Sequence, residues 1–168
     1  MGDKAMMNKQ LFSVLLTAAL MAGCASTNAS ASGLRDAGTN TASPSTIEGN
    51  EWKLIAVYIN GEDTLFWRDT LPKEPGNLFT LTFGAELLSG VGAPNRYSAP
   101  YAMGDNQSIS VMPMRSTMMA ALFEPEKLNE HDFFTYLQNA CEWKQVDNNL
   151  ELLSKIQNGV EVRLVFSL

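Results

Sequence analysis

The chain predicts an antiparallel α+β domain. Three observations carry that expectation. From residue 51 onward, short runs of β-branched, aromatic or alternating apolar residues recur. Turn signals part them: Asn60-Gly61-Glu62-Asp63, Gly84-Ala85-Glu86, Gly104-Asp105-Asn106, Asp147-Asn148-Asn149 and Asn158-Gly159. A single late stretch, about 130–140, has helical rather than strand periodicity. At 168 residues the chain has room for one such domain plus accessory segments.

The accessory segments come first. Lys4 and Lys9 precede an apolar run from Leu11 to Ala22, which is too short to span a bilayer and has the length of a signal-peptide core. It ends in Leu20-Met21-Ala22-Gly23-Cys24, which resembles the bacterial lipobox, with Met21 a departure from the usual leucine. That resemblance implies cleavage after Gly23 and acylation of Cys24. Several acyl chains would anchor the protein firmly in a membrane. Ala25 follows the cysteine, and that resembles the sorting pattern for the outer membrane, facing the periplasm, in a Gram-negative envelope. Either Met1 or Met7 serves as the start. Residues 1–23 thus read as a lipoprotein signal peptide and 24–49 as a lipidated tether. The tether is rich in Ser, Thr, Asn, Gly and Ala and has no aromatic residue, so it cannot offset its own ordering entropy. Its root-mean-square reach is roughly 25–30 Å.

The folded domain is expected at 50–168. Trp52–Ile59 reads as a strand, and residues 62–77, with Phe66, Trp67, Pro72, Pro75 and Gly76, as an irregular loop. Phe66-Trp67 either covers an open end of the sheet, the preferred reading, or forms an exposed contact. Strands follow at Leu78–Phe83 and Leu87–Val91. The ten residues Ser89 to Ser98, which overlap the end of that strand, hold Gly90, Gly92, Pro94 and Asn95, a stiff bend at 92–98. Arg96 and Tyr97 on it are either recognition groups or a packed tyrosine and an arginine tying down the bend, and the structural reading is preferred. Short strands at Ala99–Met103 and Gln107–Met112 come next, the latter ended by Pro113. Met112, Met114, Met118 and Met119 are dense, but no His or Cys lies beside them; core filling is expected rather than copper. Asn129 reads as a helix N-cap, with Glu130 and Asp132 in the first turn. Phe133, Phe134, Leu137 and Ala140 form the apolar stripe, and His131 is expected in solvent. Cys141 reads as a buried, inert thiol. Strands at Trp143–Val146, Leu150–Leu153 and Val160–Leu168 close the domain, the last apolar on one face to its final residue.

Composition narrows function. The net charge is −6; without residues 1–23 ten basic residues face seventeen acidic ones, a net of −7. No Lys/Arg cluster is present, which argues against nucleic acid as a partner. The single histidine, and the absence of G-x-S-x-G, H-E-x-x-H or a Gly-rich phosphate loop, point away from an enzyme and give no reason to expect a cofactor or metal. Asp105, Glu124, Glu126, Glu130 and Asp132 read as ordinary solvated carboxylates.

Ser89-Gly90-Val91-Gly92-Ala93-Pro94-Asn95-Arg96-Tyr97-Ser98-Ala99-Pro100-Tyr101 resembles the bend S-G-x-x-G-C-N-R-Y-S-G-x-Y of the META domain, or HslJ-like, family of bacterial envelope lipoproteins. Thr117-Met118-Met119-Ala120-Ala121 resembles its second block, T-x-M-A-C. The family's two cysteines fall at Pro94 and Ala121, and both are missing. If they pair in relatives, their joint loss is what a dispensable staple would look like. The resemblance covers about Glu51 to Leu168 and implies a curved, partly barrel-like meander sheet with one amphipathic helix packed on it and Trp52 in the core. It directs attention to Asn95, Arg96, Tyr97, Tyr101, Thr117 and Met119 as recognition or bend residues. It further implies a non-enzymatic role in envelope integrity or stress response, since relatives are associated with heat shock, drug tolerance and virulence. The alternative is a tethered binding module, inhibiting a lysozyme or protease or adapting another envelope protein.

Overall fold

A computed structural model describes residues 43–71, 77–121 and 125–168. The signal peptide, Cys24 and most of the tether lie outside the described residues.

Strand β1 (Glu51–Ile59) is the organising element. Its C-terminal half turns at Asn60 and Gly61, with φ of 50° and 83°, into β2 (Glu62–Trp67). Two consecutive positive φ values are what a two-residue hairpin demands, and Asn-Gly supplies them at low cost. The expected loop at 62–77 therefore begins as a strand, because this Asn-Gly pair makes a hairpin rather than a mere turn. Phe66 sits in it with 2% exposure and an edge-on contact to Phe79, so it is a core residue.

The N-terminal half of β1 pairs with β3 (Thr80–Phe83), which meanders into β4 (Leu87–Val91) and β5 (Arg96–Met103). On its far side β5 carries β6 (Ile109–Val111) and the two-residue β7 (Arg115–Ser116). One helix, α1 (Glu130–Gln138), then leads into β8 (Ala140–Val146), β9 (Asn149–Lys155) and β10 (Glu161–Ser167). The last strand inserts between β1 and β9, giving the order β6-β5-β4-β3-β1-β10-β9-β8. Every strand pairing is antiparallel. Ser108, just before β6, makes an isolated bridge to Glu142 of β8, so the two ends of the sheet nearly meet in a barrel.

Period-two alternation fills the interior. Val57, Leu164, Leu152 and Trp143 stand abreast across β1, β10, β9 and β8, all at 3% exposure or less. Leu54, Phe166 and Leu150 form the next row, and a bulge between Leu54 and Ala56 is what lets Leu54 and Val57 share the inward face. Helix α1 adds Phe133 and Leu137 to the same core. Its N-cap is Asn129, whose Oδ1 accepts from the Asp132 amide at 2.7 Å. Ala140, assigned to the helix stripe, is instead the first residue of β8. Cys141 lies in β8, half-buried, its Sγ 3.4 Å from the Leu153 carbonyl oxygen.

Three further expectations are corrected. The folded body starts before residue 50: Pro44–Thr46 form a 3-10 turn, Ile47 is completely buried, and Glu48 bridges to Phe83. Trp52 is buried as expected, and its Nε1 donates to the Ile47 carbonyl at 3.0 Å, which ties this leading segment to β1. The methionine-dense stretch does not fill the core. Met112, Met118 and Met119 are exposed, and only Met114 packs partly against it. Leu168 is exposed too, because β10 ends at Ser167 and its last side chain passes beyond the sheet.

Candidate functional site

The bend is tighter than 92–98. Arg96 already belongs to β5, so the turn proper is Gly92-Ala93-Pro94-Asn95, with a cis Ala93–Pro94 peptide bond. The Gly92 amide donates to the Asn95 carbonyl at 2.7 Å, closing it.

Asn95, 7% exposed, is its central side chain. Its Oδ1 accepts from the Met119 amide at 2.7 Å and from the Thr117 hydroxyl at 2.8 Å. Its Nδ2 donates to Glu130 Oε2 at 2.6 Å and to the Met119 carbonyl at 3.3 Å. All four bonding positions of the amide are thereby used. Glu130, first residue of α1, completes the arrangement. Its Oε1 accepts from the amides of Ala93 and Asn95, each at 2.6 Å. A carboxylate holding two backbone N–H groups and a side-chain amide makes charge-assisted bonds, the stronger kind. Glu130 is therefore no solvated carboxylate. A Cβ at Gly92 would collide with Glu130 Oε1 and the Phe134 ring, so glycine is needed for the helix to approach this closely.

The Thr117 hydroxyl also accepts from the Arg96 amide at 3.1 Å, and the Thr117 amide donates to the Arg96 carbonyl at 3.0 Å. The two motif blocks and the helix start are thus one hydrogen-bonded clasp. It joins the very segments in which the family's cysteines are missing.

Tyr97 points inward. It is 3% exposed, its hydroxyl donates to the Thr80 carbonyl at 2.7 Å, and its ring contacts Phe133 and Phe134 at centroid distances of 5.9 and 5.2 Å. Burial pushes the phenol well above its usual range. Tyr101, half-buried, donates to the Gly84 carbonyl at 2.7 Å and meets Phe83 edge-on. Its phenol is raised by partial burial and then by the Glu48 charge.

Arg96 differs. Its side chain is exposed and, among the described residues, makes no hydrogen bond or ion pair. Met118, at 99% exposure, and Met119, at 59%, lie on the outer side of the clasp. Of the six residues singled out from the sequence, Asn95, Tyr97, Tyr101 and Thr117 are thus committed to internal bonds. Met119 commits its backbone and exposes its side chain. Arg96 alone keeps a free polar head. His131 is exposed. Among the described residues, no group of three or more His, Cys, Asp or Glu is placed to hold a metal.

Three residues that support the site carry no local signal of that role. Glu130 reads from the sequence as a solvated carboxylate favoured by the helix dipole, and no local pattern announces a partner 35 positions back. Phe79 precedes β3 with φ of 53°, an outlier for a bulky side chain. Its amide donates to the Gly92 carbonyl at 3.1 Å, and its carbonyl accepts from the Leu54 amide at 2.9 Å, so it fastens the bend to β1. Arg68 reinforces this from below: Nε donates to the Leu54 carbonyl at 2.8 Å and Nη2 to that of Leu78 at 2.5 Å.

No curated protein matches the chain. Among solved structures, a Burkholderia xenovorans protein determined by NMR is 20% identical, with a TM-score of 0.52 over 73% of this chain and 85% of its own. A second protein solved by NMR is 21% identical, with a TM-score of 0.50 over 76% of this chain and 95% of its own. At these identities the likeness concerns the fold. The META domain model matches residues 45–165, the clasp and both its motif blocks included, and the chain belongs to the META domain family.

Proposed function

We propose that the protein is a lipid-anchored, non-enzymatic envelope lipoprotein whose META domain serves envelope integrity or the stress response. The observation that carries this is Cys24 at the one position a lipobox requires, after an apolar run of signal-peptide length and ahead of a META domain. The clasp supports a structural rather than catalytic role for Asn95, Tyr97, Tyr101 and Thr117, since their polar groups are spent on internal hydrogen bonds. In this reading the mature chain faces the periplasm from the outer membrane.

Replacing Cys24 by Ser should abolish palmitate labelling and move the protein from the membrane to the soluble fraction. Unchanged membrane retention of the variant would overturn the anchor.

The exposed Arg96, Met118 and Met119 favour one second reading, a tethered adaptor or inhibitor acting through the outer side of the clasp. Its test is in-cell cross-linking of the wild type against an Arg96→Ala, Met118→Ser variant. Tyr97 is a poor choice for this purpose, because its loss damages the core. A captured envelope protein lost in the variant supports the reading, and an identical background in both counts against it.

A further inference from the structure

On the outer face of the barrel, where its two ends meet, lies a cleft of about 150 Å³. That is the liquid volume of roughly five waters. Its floor is the outward register of β8, β9 and β10. Glu142, Leu153 and Arg163 stand in one row, with Tyr58 beyond on β1; Lys144 and Glu151 stand in the next. Its overhang is the 3-10 turn Asp105–Gln107, brought there by the Ser108–Glu142 bridge. Asn106 and Gln107 both have positive φ, 55° and 59°, and line the cleft. Two successive residues there is costly for glutamine in particular.

Arg163 is held on two sides and open on a third. Its guanidinium carbon lies 4.3 Å from the Tyr58 ring centroid. Its Nη1 touches both Glu151 oxygens at 3.4 and 3.5 Å, long contacts for hydrogen bonds. Its Nε and Nη2 make no hydrogen bond among the described residues. Lys144 reaches the same carboxylate at 3.0 Å, so two cations share one anion. Lys155, outside the cleft, comes within 3.9 Å of Glu142. The lining balances two cations, Lys144 and Arg163, against two carboxylates, Glu142 and Glu151, so what it offers an anion is the fork of Arg163 rather than a net charge. It presents a planar, oriented donor pair with an apolar wall at Leu153 and two amides above.

We infer that this cleft is a binding site for a carboxylate borne on a group of about one amino-acid residue's size, received by the free edge of Arg163. A fork of parallel N–H donors suits a carboxylate better than a point charge does. Stacking on Tyr58 and the Glu151 contact orient that fork before a ligand arrives, which lowers the ordering cost of binding. The site shares no residue with the clasp and does not depend on the proposed anchor.

The test is a titration of the full ¹⁵N-labelled chain in detergent micelles, at fixed ionic strength, followed by NMR. The probes are N-acetylalanine, its neutral amide N-acetylalaninamide, and a tetrapeptide ending in a free alanine carboxylate. N-acetylalanine should give saturable shifts at the Arg163 Nε–H and the Gln107 side-chain amide, at least tenfold tighter than the amide probe. Tighter binding of the tetrapeptide identifies a chain end as the natural ligand; equal binding identifies a free small acid. Arg163→Lys, which keeps the charge and removes the fork, should weaken the acid at least tenfold. Gln107→Ala, on the overhang, should weaken it several-fold with the barrel spectrum unchanged. Equal affinity for acid and amide, or full affinity in both variants, overturns the site.

Discussion

Asn95 shows how much one side chain carries here. Removing it by Asn95→Ala leaves the Glu130 carboxylate, the Met119 amide and the Thr117 hydroxyl short of a partner. Unsatisfied buried polar groups cost more than the net worth of a hydrogen bond, so a loss of about 2–3 kcal/mol is expected in urea unfolding. Tyr97 gives a pH signature. Burial keeps its phenol protonated in the folded state, whereas the unfolded chain ionises it from about pH 10. Its contribution to stability is complete below that pH and falls as pH rises further, by at most ~1.4 kcal/mol per unit. Tyr101 and Tyr136, whose phenols are also raised by burial, add smaller amounts in the same direction. Tyr97→Phe should flatten this alkaline limb in pH-dependent melting curves. The structural role of Tyr97 was legible as one of two alternatives, and only its burial decides between them.

At the scale of elements, the bend and the helix behave as one unit. Asn95→Asp alone sets a second carboxylate against Glu130, which costs more as pH rises through the carboxylate range. Glu130→Gln alone turns an amide donor towards the Asn95 amide or the bend's N–H groups. Made together, the two changes restore a donor facing an acceptor. A double-mutant cycle at pH 7 should therefore show a favourable coupling of about 1–3 kcal/mol, and a sum of the single effects would argue that the clasp is not energetically joined. The helix itself was readable, cap and apolar stripe included, because capping and 3.6-residue periodicity are local. Its use as an anchor for the bend was not, because Glu130 reaches back 35 residues. The hairpin into β2 is hidden in the sequence for another reason. Asn60-Gly61 carries the same signal as Asn158-Gly159, but the mixed composition of 62–77 obscured the strand that follows.

The whole molecule depends on pieces from its two ends. Ile47, in a segment expected to be tether, is fully buried, and its carbonyl receives the Trp52 indole. Ile47→Ala should cost about 2–5 kcal/mol, seen as a lowered denaturation midpoint, as for any deep core truncation. A surface-like loss below 0.5 kcal/mol would place it outside the core. At the other end β10 runs between β1 and β9, so the strand made last is central to the sheet. Such long-range pairing makes loss of either end a loss of the barrel rather than of a tail.

The sequence alone determined the antiparallel α+β class, the capped helix and most strand positions, which follow from periodicity and turn chemistry that act within a few residues. The family and the buried Trp52 were legible through the resemblance of the two motif blocks. Tertiary structure alone decided that the barrel nearly closes through Ser108 and Glu142 and that Met112, Met118 and Met119 face solvent. It also decided that Asn95 and Glu130 bond each other, and that Arg163 stands in a cleft with a free edge. Each of these depends on groups distant in the chain meeting across the fold. The hydrophobic pattern says that a side chain faces in or out, and not what it meets there.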